Sequence, residues 1–321
     1  MSGPETSLHR RGLLAGVLAG GLLPAAAAAQ MVRVGPPNSA SRLSPPDQVY
    51  VPPRDLSTVA DIYKRMTTPV SVNGAGPFQF VVDTGANQSV ISQEIAAKLG
   101  LPIGESRLLN GVAGVAMTPT TTATLRVGAL DETLVGLSVL PGEAIGDDGM
   151  LGLDLLNGAQ LTLDFERELV TIGGPRAAPV EGEAVLSARR RDGQLTLVSA
   201  GLAGIPVTAF IDSGAQDTVG NMALREMAVR RYPTTSFTQV PIISVTGQTM
   251  QCEILDLPGL RIGSLSLPSW PVAFADLHVF SMWNLIDRPA ILLGIDVMTR
   301  FQTVCLDFSR GEVRFRLPET S

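Results

Sequence analysis

The chain contains two short strings of the same form, and this repetition is the feature that most limits what it can fold into. Segment 80–86 reads FVVDTGA and segment 210–215 reads FIDSGA, so apolar residues run into Asp-Thr/Ser-Gly-Ala twice. One such string is a common turn after a strand. Two of them, 129 residues apart from Asp83 to Asp212, predict an internal duplication that brings two carboxylates to one site.

Other segments recur in the same order around the two strings, which supports the duplication. Before each Asp, the pattern predicts a strand, a Gly-containing turn and a second strand that ends at the Asp. After each Asp, a polar cap residue precedes a short apolar-periodic stretch, which predicts short helices over Ser92 to Leu101 and Asn221 to Arg230. Three later pairs complete the match: LRVG at 125–128 with LRIG at 260–263, GMLGLDLL at 149–156 with ILLGIDVM at 291–298, and LDFER at 163–167 with LDFSR at 306–310.

The second copy is longer than the first. The offset between copies grows from 129 residues at the first Asp to 143 between Asp164 and Asp307, so the second copy carries 14 additional residues. We assign them to 274–289, which contains His278, Phe280 and Trp283. Such an insertion either lines a substrate groove or contacts a partner, or it packs on its own domain.

The paired strings, each followed later by hydrophobic-hydrophobic-Gly, resemble the signature of retropepsin-like aspartic peptidases. The resemblance covers roughly 60–318 in two copies. It implies an all-β protein with two similar retropepsin-like (acid-protease) closed β domains, each with a short helix, related by an internal pseudo-two-fold. The chain looks like a single-chain form, similar to bacterial periplasmic aspartyl proteases with two such domains. It would act as a monomer with an internal pseudo-dimer, with a peptide or protein as its substrate.

The resemblance makes Asp83 and Asp212 the catalytic dyad. Two adjacent carboxylates cannot both ionise cheaply, so they titrate as a coupled pair, as aspartic proteases do as a class. The ionised member takes a proton from the attacking water, and the protonated member stabilises the developing oxyanion. In this family the hydroxyls of Thr84 and Ser213 reach the opposite loop.

The remaining candidate site residues follow from the same resemblance. Gly85 and Gly214 allow a close backbone approach that a Cβ would block. Two Gly-containing segments, 110–114 and 244–247, are expected to be flap hairpins over the substrate, with ordinary hairpin turns as the alternative. Asn87 and Gln216 stand where retropepsins often have an Asp. The tentative substrate-binding residues are Ala86, Asn87, Ala215, Gln216, Gly111, Gly114, Thr246 and Gly247.

Residue counts exclude other chemistries. The chain has two His, and His9 lies in the predicted leader, which leaves only His278 for a nucleophile–His arrangement. No Cys/His cluster suggests a metal site and no phosphate-binding loop is present, so no cofactor is expected. The formal net charge of −6 argues against a nucleic-acid partner. The one basic run, 189–191, is predicted to be a solvated turn between domains.

The N-terminus predicts export. Residues 1–29 combine Arg10-Arg11, an apolar stretch and an Ala run ending at Ala29, as in a bacterial signal peptide. The adjacent arginines resemble a twin-arginine signal, and an ordinary Sec leader is the alternative. Either leader places the protein in the periplasm or outside the cell.

The predicted organisation after the leader is a Pro-rich extended segment over 30–58, an N-terminal domain over 59–175 and a C-terminal domain over 182–318. Cys252 and Cys305 both fall in the second copy. In an oxidising compartment they form either one disulfide or two separate buried thiols.

These observations predict an exported aspartic endopeptidase that hydrolyses peptide bonds with water activated by Asp83 and Asp212. The alternative is a non-catalytic module that binds an extended peptide in the same groove by strand addition. The presence of both Asp residues and both following hydroxyls favours the enzyme.

Overall fold

The computed structural model describes residues 49–50, 65–128, 130–156, 158–173, 179–191, 194–233 and 237–318. The predicted leader at 1–29 and all of 30–58 except 49–50 lie outside these ranges. Within the described part of the chain, no helix is both long and apolar enough to span a membrane.

Strands dominate the first half of the chain, in agreement with the predicted all-β fold. They are β1 (Val49–Tyr50), β2 (Thr67–Val72), β3 (Ala75–Val82), β4 (Val90–Ser92), β5 (Gly104–Gly111), β6 (Gly114–Val127), β7 (Leu130–Leu140), β8 (Gly149–Leu151), β9 (Gln160–Asp164) and β10 (Leu169–Gly173). Seven of them form a sheet in the order β2-β3-β8-β4-β7-β6-β5. A further pairing of β2 with β6 closes this sheet on itself.

The second half repeats this arrangement. Its strands are β11 (Glu183–Arg191), β12 (Gln194–Leu202), β13 (Ile205–Ile211), β14 (Val219–Gly220), β15 (Phe237–Ile243), β16 (Thr249–Ile262), β17 (Leu265–Phe274), β18 (Ala290–Leu293), β19 (Thr303–Asp307) and β20 (Glu312–Arg316). Seven of them follow the order β12-β13-β18-β14-β17-β16-β15, with β12 also paired to β16. This is the strand order of the first half, position for position. The short β1 pairs with β17.

A third group of strands joins the halves. The order β10-β9-β19-β20-β11 places two strands of the first half beside three of the second, within one 13-stranded sheet. β9 and β19 are antiparallel, with Thr303 opposite Asp164 and Asp307 opposite Gln160. Leu161 of β9 lies opposite Leu306 of β19, and both are fully buried. The contact between the halves is therefore both hydrogen-bonded and apolar.

In the described ranges six short helices connect the strands, and the two predicted from cap residues are present. They are α1 (Gln93–Lys98), α2 (Gly142–Ile145), α3 (Leu153–Leu156), α4 (Met222–Arg231), α5 (His278–Met282) and α6 (Ile295–Met298). The Ser92 hydroxyl accepts a hydrogen bond from the N–H of Ile95 (3.1 Å) at the start of α1. The Asn221 side chain accepts from Leu224 (3.0 Å) at the start of α4. These caps fix where each helix begins.

The structure contradicts two predictions made from sequence, and a third concerns residues outside the described ranges. The basic run at 189–191 lies in strand β11, so the prediction of a turn is wrong. Cys252 on β16 and Cys305 on β19 are both buried, and no disulfide joins them, so the disulfide alternative is wrong. Residues 174–178, at the centre of the gap between the predicted domains, lie outside the described ranges.

Candidate active site

The two Asp strings end side by side between the halves. Asp83 follows β3, and its N–H donates to the carbonyl of Leu151 on β8 (3.0 Å). Asp212 follows β13, and its N–H donates to the carbonyl of Leu293 on β18 (3.0 Å). Both carboxyl groups are buried, with Asp83 8% and Asp212 5% exposed, and they hydrogen-bond each other. The predicted dyad residues are therefore together in one site.

A reciprocal set of hydrogen bonds holds the two loops together. The Thr84 hydroxyl donates to the carbonyl of Ile211 (2.8 Å) and accepts from the N–H of Ser213 (3.0 Å). The Ser213 hydroxyl donates to the carbonyl of Val82 (2.8 Å) and accepts from the N–H of Thr84 (3.1 Å). Both hydroxyls are almost fully buried. Each hydroxyl thus fixes the backbone of the opposite loop, as the family resemblance implied.

The glycine after each hydroxyl residue makes room for the opposite carboxyl group. A Cβ on Gly85 would collide with the carboxyl of Asp212, and a Cβ on Gly214 would collide with that of Asp83. One oxygen of each carboxyl group, Oδ1, accepts backbone N–H bonds from the two residues after its hydroxyl residue. These bonds are 2.8 and 2.9 Å at Asp83, and 2.9 and 3.1 Å at Asp212.

Burial raises the pKa of both carboxyl groups, and the other causes that shift the two pKa values differ between them. At Asp83, burial raises the pKa, while hydrogen bonds from Gly85, Asp212 and Ala86 and the charge of Arg65 lower it. At Asp212, burial and then the negative charge of Asp83 hold the pKa well above its ordinary value. The two carboxyl groups therefore titrate as a coupled pair, and burial keeps the pair from ionising twice at ordinary pH.

The cation in this site was not found from sequence. Arg65 lies just before β2, donates to the carbonyl of Ile145, and interacts electrostatically with Asp83 and Asp147. The corresponding residue in the second half is the neutral Gln194, which donates to the carbonyl of Gly85 (2.9 Å). The signal was available, because each of these residues stands 18 positions before its Asp.

A second carboxylate in each half anchors the loop that carries the dyad residue. Asp154 accepts from both the N–H (2.9 Å) and the hydroxyl (2.6 Å) of Ser89. In the second half, Asp296 accepts from the hydroxyl of Thr218 (2.8 Å) and from Trp270 Nε1 (2.9 Å). Each of these Asp residues belongs to a repeated hydrophobic-hydrophobic-Gly segment. The repeated segment therefore supplies a carboxyl group that anchors the loop, in addition to its glycine.

The glycines of these segments are also required sterically. A Cβ on Gly152 would lie 2.6 Å from the backbone carbon of Gln88, and a Cβ on Gly294 would lie 2.6 Å from that of Asp217. Both distances are far below ordinary van der Waals contact. The strand end of each segment therefore passes directly against the loop that follows the dyad residue.

Two hairpins cover the dyad, as the flap prediction expected. One turns at 112–113 between β5 and β6, and the other at 244–248 between β15 and β16. Their tips touch, because Gly111 lies against the hydroxyls of Ser244 and Thr246, and Gln248 Nε2 donates to the carbonyl of Val115 (3.0 Å).

The space beneath the hairpins is small. The cavity around Asp83 and Asp212 has a volume of about 70 Å³. That is room for a few water molecules. The hairpins as they stand therefore leave little free space over the two carboxyl groups.

The insertion at 274–289 packs on its own half and also reaches the site. Phe280 and Trp283 are buried, at 0% and 3% exposure. Val279 and Trp283 line the cavity. The backbone N–H of His278 donates to the carbonyl of Val112 in the first hairpin (2.7 Å), and its ring contacts Asn110 Oδ1 (3.2 Å). The segment therefore both packs on its own half and lines the candidate site.

The predicted substrate-binding residues fall into two groups. Ala86 and Gly111 line the cavity, together with Gly85 and Gly214. The others lie beside or above it. Asn87 is exposed and its Oδ1 accepts from Gln194 (3.2 Å), while Ala215 is buried. The remaining four, which are not among the cavity-lining residues, are Gln216, Gly114, Thr246 and Gly247.

Part of the first half matches a known protein family. Residues 68–158 match the family model described as "gag-polyprotein putative aspartyl protease". A solved structure of a retropepsin-like aspartic protease from Rickettsia conorii is similar, with 20% identity and a TM-score of 0.27, covering 42% of this chain and 90% of that chain. No curated protein matches the sequence.

The first prediction concerns the hydroxyl contacts between the loops. In Thr84→Val the shape is kept, but the buried N–H of Ser213 loses its acceptor. We expect the free energy of unfolding to fall by about 1–3 kcal/mol, the usual cost of an unsatisfied buried group, measured by chemical denaturation. Thr84→Ser should retain most of the stability.

Thr124→Val is the matched control. Its hydroxyl bonds only to Thr133 on an exposed part of the sheet, so the change should be within about 0.5 kcal/mol. Equal losses of unfolding free energy in Thr84→Val and Thr124→Val would show that the hydroxyl contact between the loops stabilises the protein no more than an exposed hydroxyl pair does.

Proposed function

We propose that the protein is an aspartic endopeptidase whose catalytic dyad is Asp83 and Asp212. The observation that carries the proposal is the pair of buried, mutually hydrogen-bonded carboxyl groups beneath two touching hairpins. The retropepsin-like match over 68–158 supports the same class. We further propose that the two halves arose by internal duplication, so that one chain is sufficient for activity.

The surroundings of the two carboxyl groups support a different role for each. Asp83, which lies beside the charge of Arg65, would take a proton from the water as it attacks the peptide carbonyl. Asp212, whose pKa is held well above its ordinary value by burial and by the charge of Asp83, would hydrogen-bond the oxygen on which negative charge develops. Oδ1 of each group is occupied by backbone N–H bonds, which leaves the Oδ2 atoms to share the proton and contact the water. The covering hairpins would exclude bulk water during the reaction.

The dyad variants give the most direct test. Asp83→Asn and Asp212→Asn should each lower kcat on a cleaved peptide by about 100-fold or more, because each removes one proton-transfer group. The measurement is cleavage of a peptide library followed by kinetics on the best substrate, from acid to neutral pH. Asp131→Asn, an exposed carboxylate paired with Arg126, is the control and should keep the wild-type rate.

The same experiment separates the enzyme from a binding module. Wild-type rates in either dyad variant would contradict the assignment of the dyad. If wild-type protein cleaves no peptide at any pH but binds extended peptides, the non-catalytic alternative is correct.

The second kinetic prediction concerns Arg65. Its charge lowers the pKa of Asp83, so Arg65→Gln, which introduces the residue found at 194, should raise that pKa. The base is then protonated up to a higher pH, and the acid limb of the kcat/KM profile should move to higher pH. The other charged groups beside this pair are Asp147, which also interacts with Arg65, and Asp212.

Arg126→Gln serves as the control for Arg65→Gln, since its guanidinium is exposed and pairs only with Asp131 in the described contacts. Its pH profile should match that of the wild type. An unchanged acid limb in Arg65→Gln, with the fold intact by circular dichroism, would mean that Arg65 does not set the ionisation of the dyad.

We also propose that the chain is exported to the periplasm or beyond, because residues 1–29 have the composition of a signal peptide. Expression of the full chain in a Gram-negative bacterium should give a periplasmic product whose N-terminus lies close to Gln30, as measured by fractionation and N-terminal sequencing. Replacing Arg10 and Arg11 by Lys should block export if the twin-arginine route is used. Full-length protein confined to the cytoplasm would contradict export.

A further inference from the structure

The walls on the two sides of the dyad differ, although the halves share one strand order. On the first-half side, Ala86, Val90, Leu109 and Met150 line the cavity. They form one apolar cluster with Val81, Leu140 and Ile145 beneath them. The first-half wall of the cavity is therefore apolar.

The register of the sheets identifies the matching residues in the second half. Val90 pairs with Met150 across β4 and β8, and Val219 pairs with Leu292 across β14 and β18. Of the two counterparts, Leu292 lines the cavity but Val219 does not.

A further counterpart is also covered. Ala215 corresponds to Ala86 by its place after the Asp. Ala215 is 1% exposed and does not line the cavity, whereas Ala86 is half-buried and does.

The 274–289 insertion is what covers this side. The indole of Trp283 stacks on Phe210, with ring centroids 4.0 Å apart and planes inclined by 16°. Phe280 packs edge-on against the same indole at 6.3 Å. The residue that matches Phe210 in the first half is Val81. Trp283 and Val279 then form the cavity wall themselves.

We propose that the two subsites flanking the scissile bond are unequal, with an open apolar pocket on the Asp83 side and a shallow one closed by Trp283 on the Asp212 side. The substrate would then have a large apolar side chain on one side of the cleaved bond and a small residue on the other. This inference rests on the proposed peptidase function. The dyad carboxyls are the only charged groups among the residues that line the cavity, so an apolar side chain fits the open side best.

The test uses four peptides that differ only at the two central positions: Leu-Ala, Ala-Leu, Leu-Leu and Ala-Ala. We expect one of the two mixed peptides to be cleaved at the central bond about ten-fold or more faster than Leu-Leu, because a side chain that overfills a pocket is rejected on this scale. The kcat/KM values of the four peptides are compared. Equal or faster cleavage of Leu-Leu would overturn the proposal while leaving the peptidase function standing.

Two substitutions locate the preference. Trp283→Ala should open the closed side, so that Leu-Leu approaches the rate of the preferred mixed peptide. Met150→Phe should narrow the open side and slow the preferred peptide, with little gain for Leu-Leu. Trp283→Leu is the milder variant if Trp283→Ala does not fold, as judged by thermal unfolding. A folded Trp283 variant with the wild-type order of the four peptides would overturn the role of Trp283.

Peptide binding tests whether the two subsites are unequal without requiring that any peptide is cleaved. Asp83→Asn protein is titrated with the same four peptides, and the Kd values are compared. If wild-type protein cleaves none of them, the peptidase proposal fails, but tighter binding of one mixed peptide than of Leu-Leu would still support unequal pockets. Equal Kd values for the four peptides would overturn the inference in that case as well.

Discussion

The site depends on the hydroxyl contacts that cross between the two loops. Two buried carboxyl groups in contact repel one another as soon as both ionise, and burial adds a penalty for each charge. Such a pair persists only where the surrounding backbone fixes both loops. Thr84 and Ser213 do this with four reciprocal hydrogen bonds, each to the backbone of the other half. The glycines after them, and the anchors at Asp154 and Asp296, support the same arrangement from behind.

The electrostatic difference between the two carboxyl groups comes from residues outside the two Asp loops. At the dyad the two halves are almost identical in hydrogen bonding, yet Arg65 stands in the first half where Gln194 stands in the second. The charge of Arg65 lowers the pKa of Asp83, whereas the charge of Asp83 raises that of Asp212. The two carboxyl groups therefore stand in unlike electrostatic surroundings.

Much of this arrangement could be read from the sequence because the repeat supplied an internal comparison. The strand preceding each Asp, the helices capped by Ser92 and Asn221, and the meeting of Asp83 with Asp212 all follow from local patterns that occur twice. Features that differ between the halves could not be predicted by comparing one half with the other. The charge of the run at 189–191 predicts a solvated turn, but the run lies in β11, where the adjacent residues Arg189 and Arg190 are both exposed and stay solvated within a strand.

Contacts between distant residues were also beyond sequence reasoning. The spacing of Cys252 and Cys305 gives no distance between their side chains, and in the structure both are buried and no disulfide joins them. The contact of His278 with the first hairpin joins residues 166 positions apart, from Val112 to His278. Tertiary packing alone decides such contacts, so composition and periodicity carry no signal for them.

The sheet shared by β9 and β19 has a consequence for how such a site can diversify. When a site is assembled from two identical subunits, every substitution appears twice, and a change that helps one side is imposed on the other. Here each side is encoded separately, while the shared sheet keeps the two sides in register. The length of the 274–289 segment and the exchange of arginine for glutamine at one edge are changes of this independent kind. Assembly of the site also becomes a property of folding, insensitive to dilution.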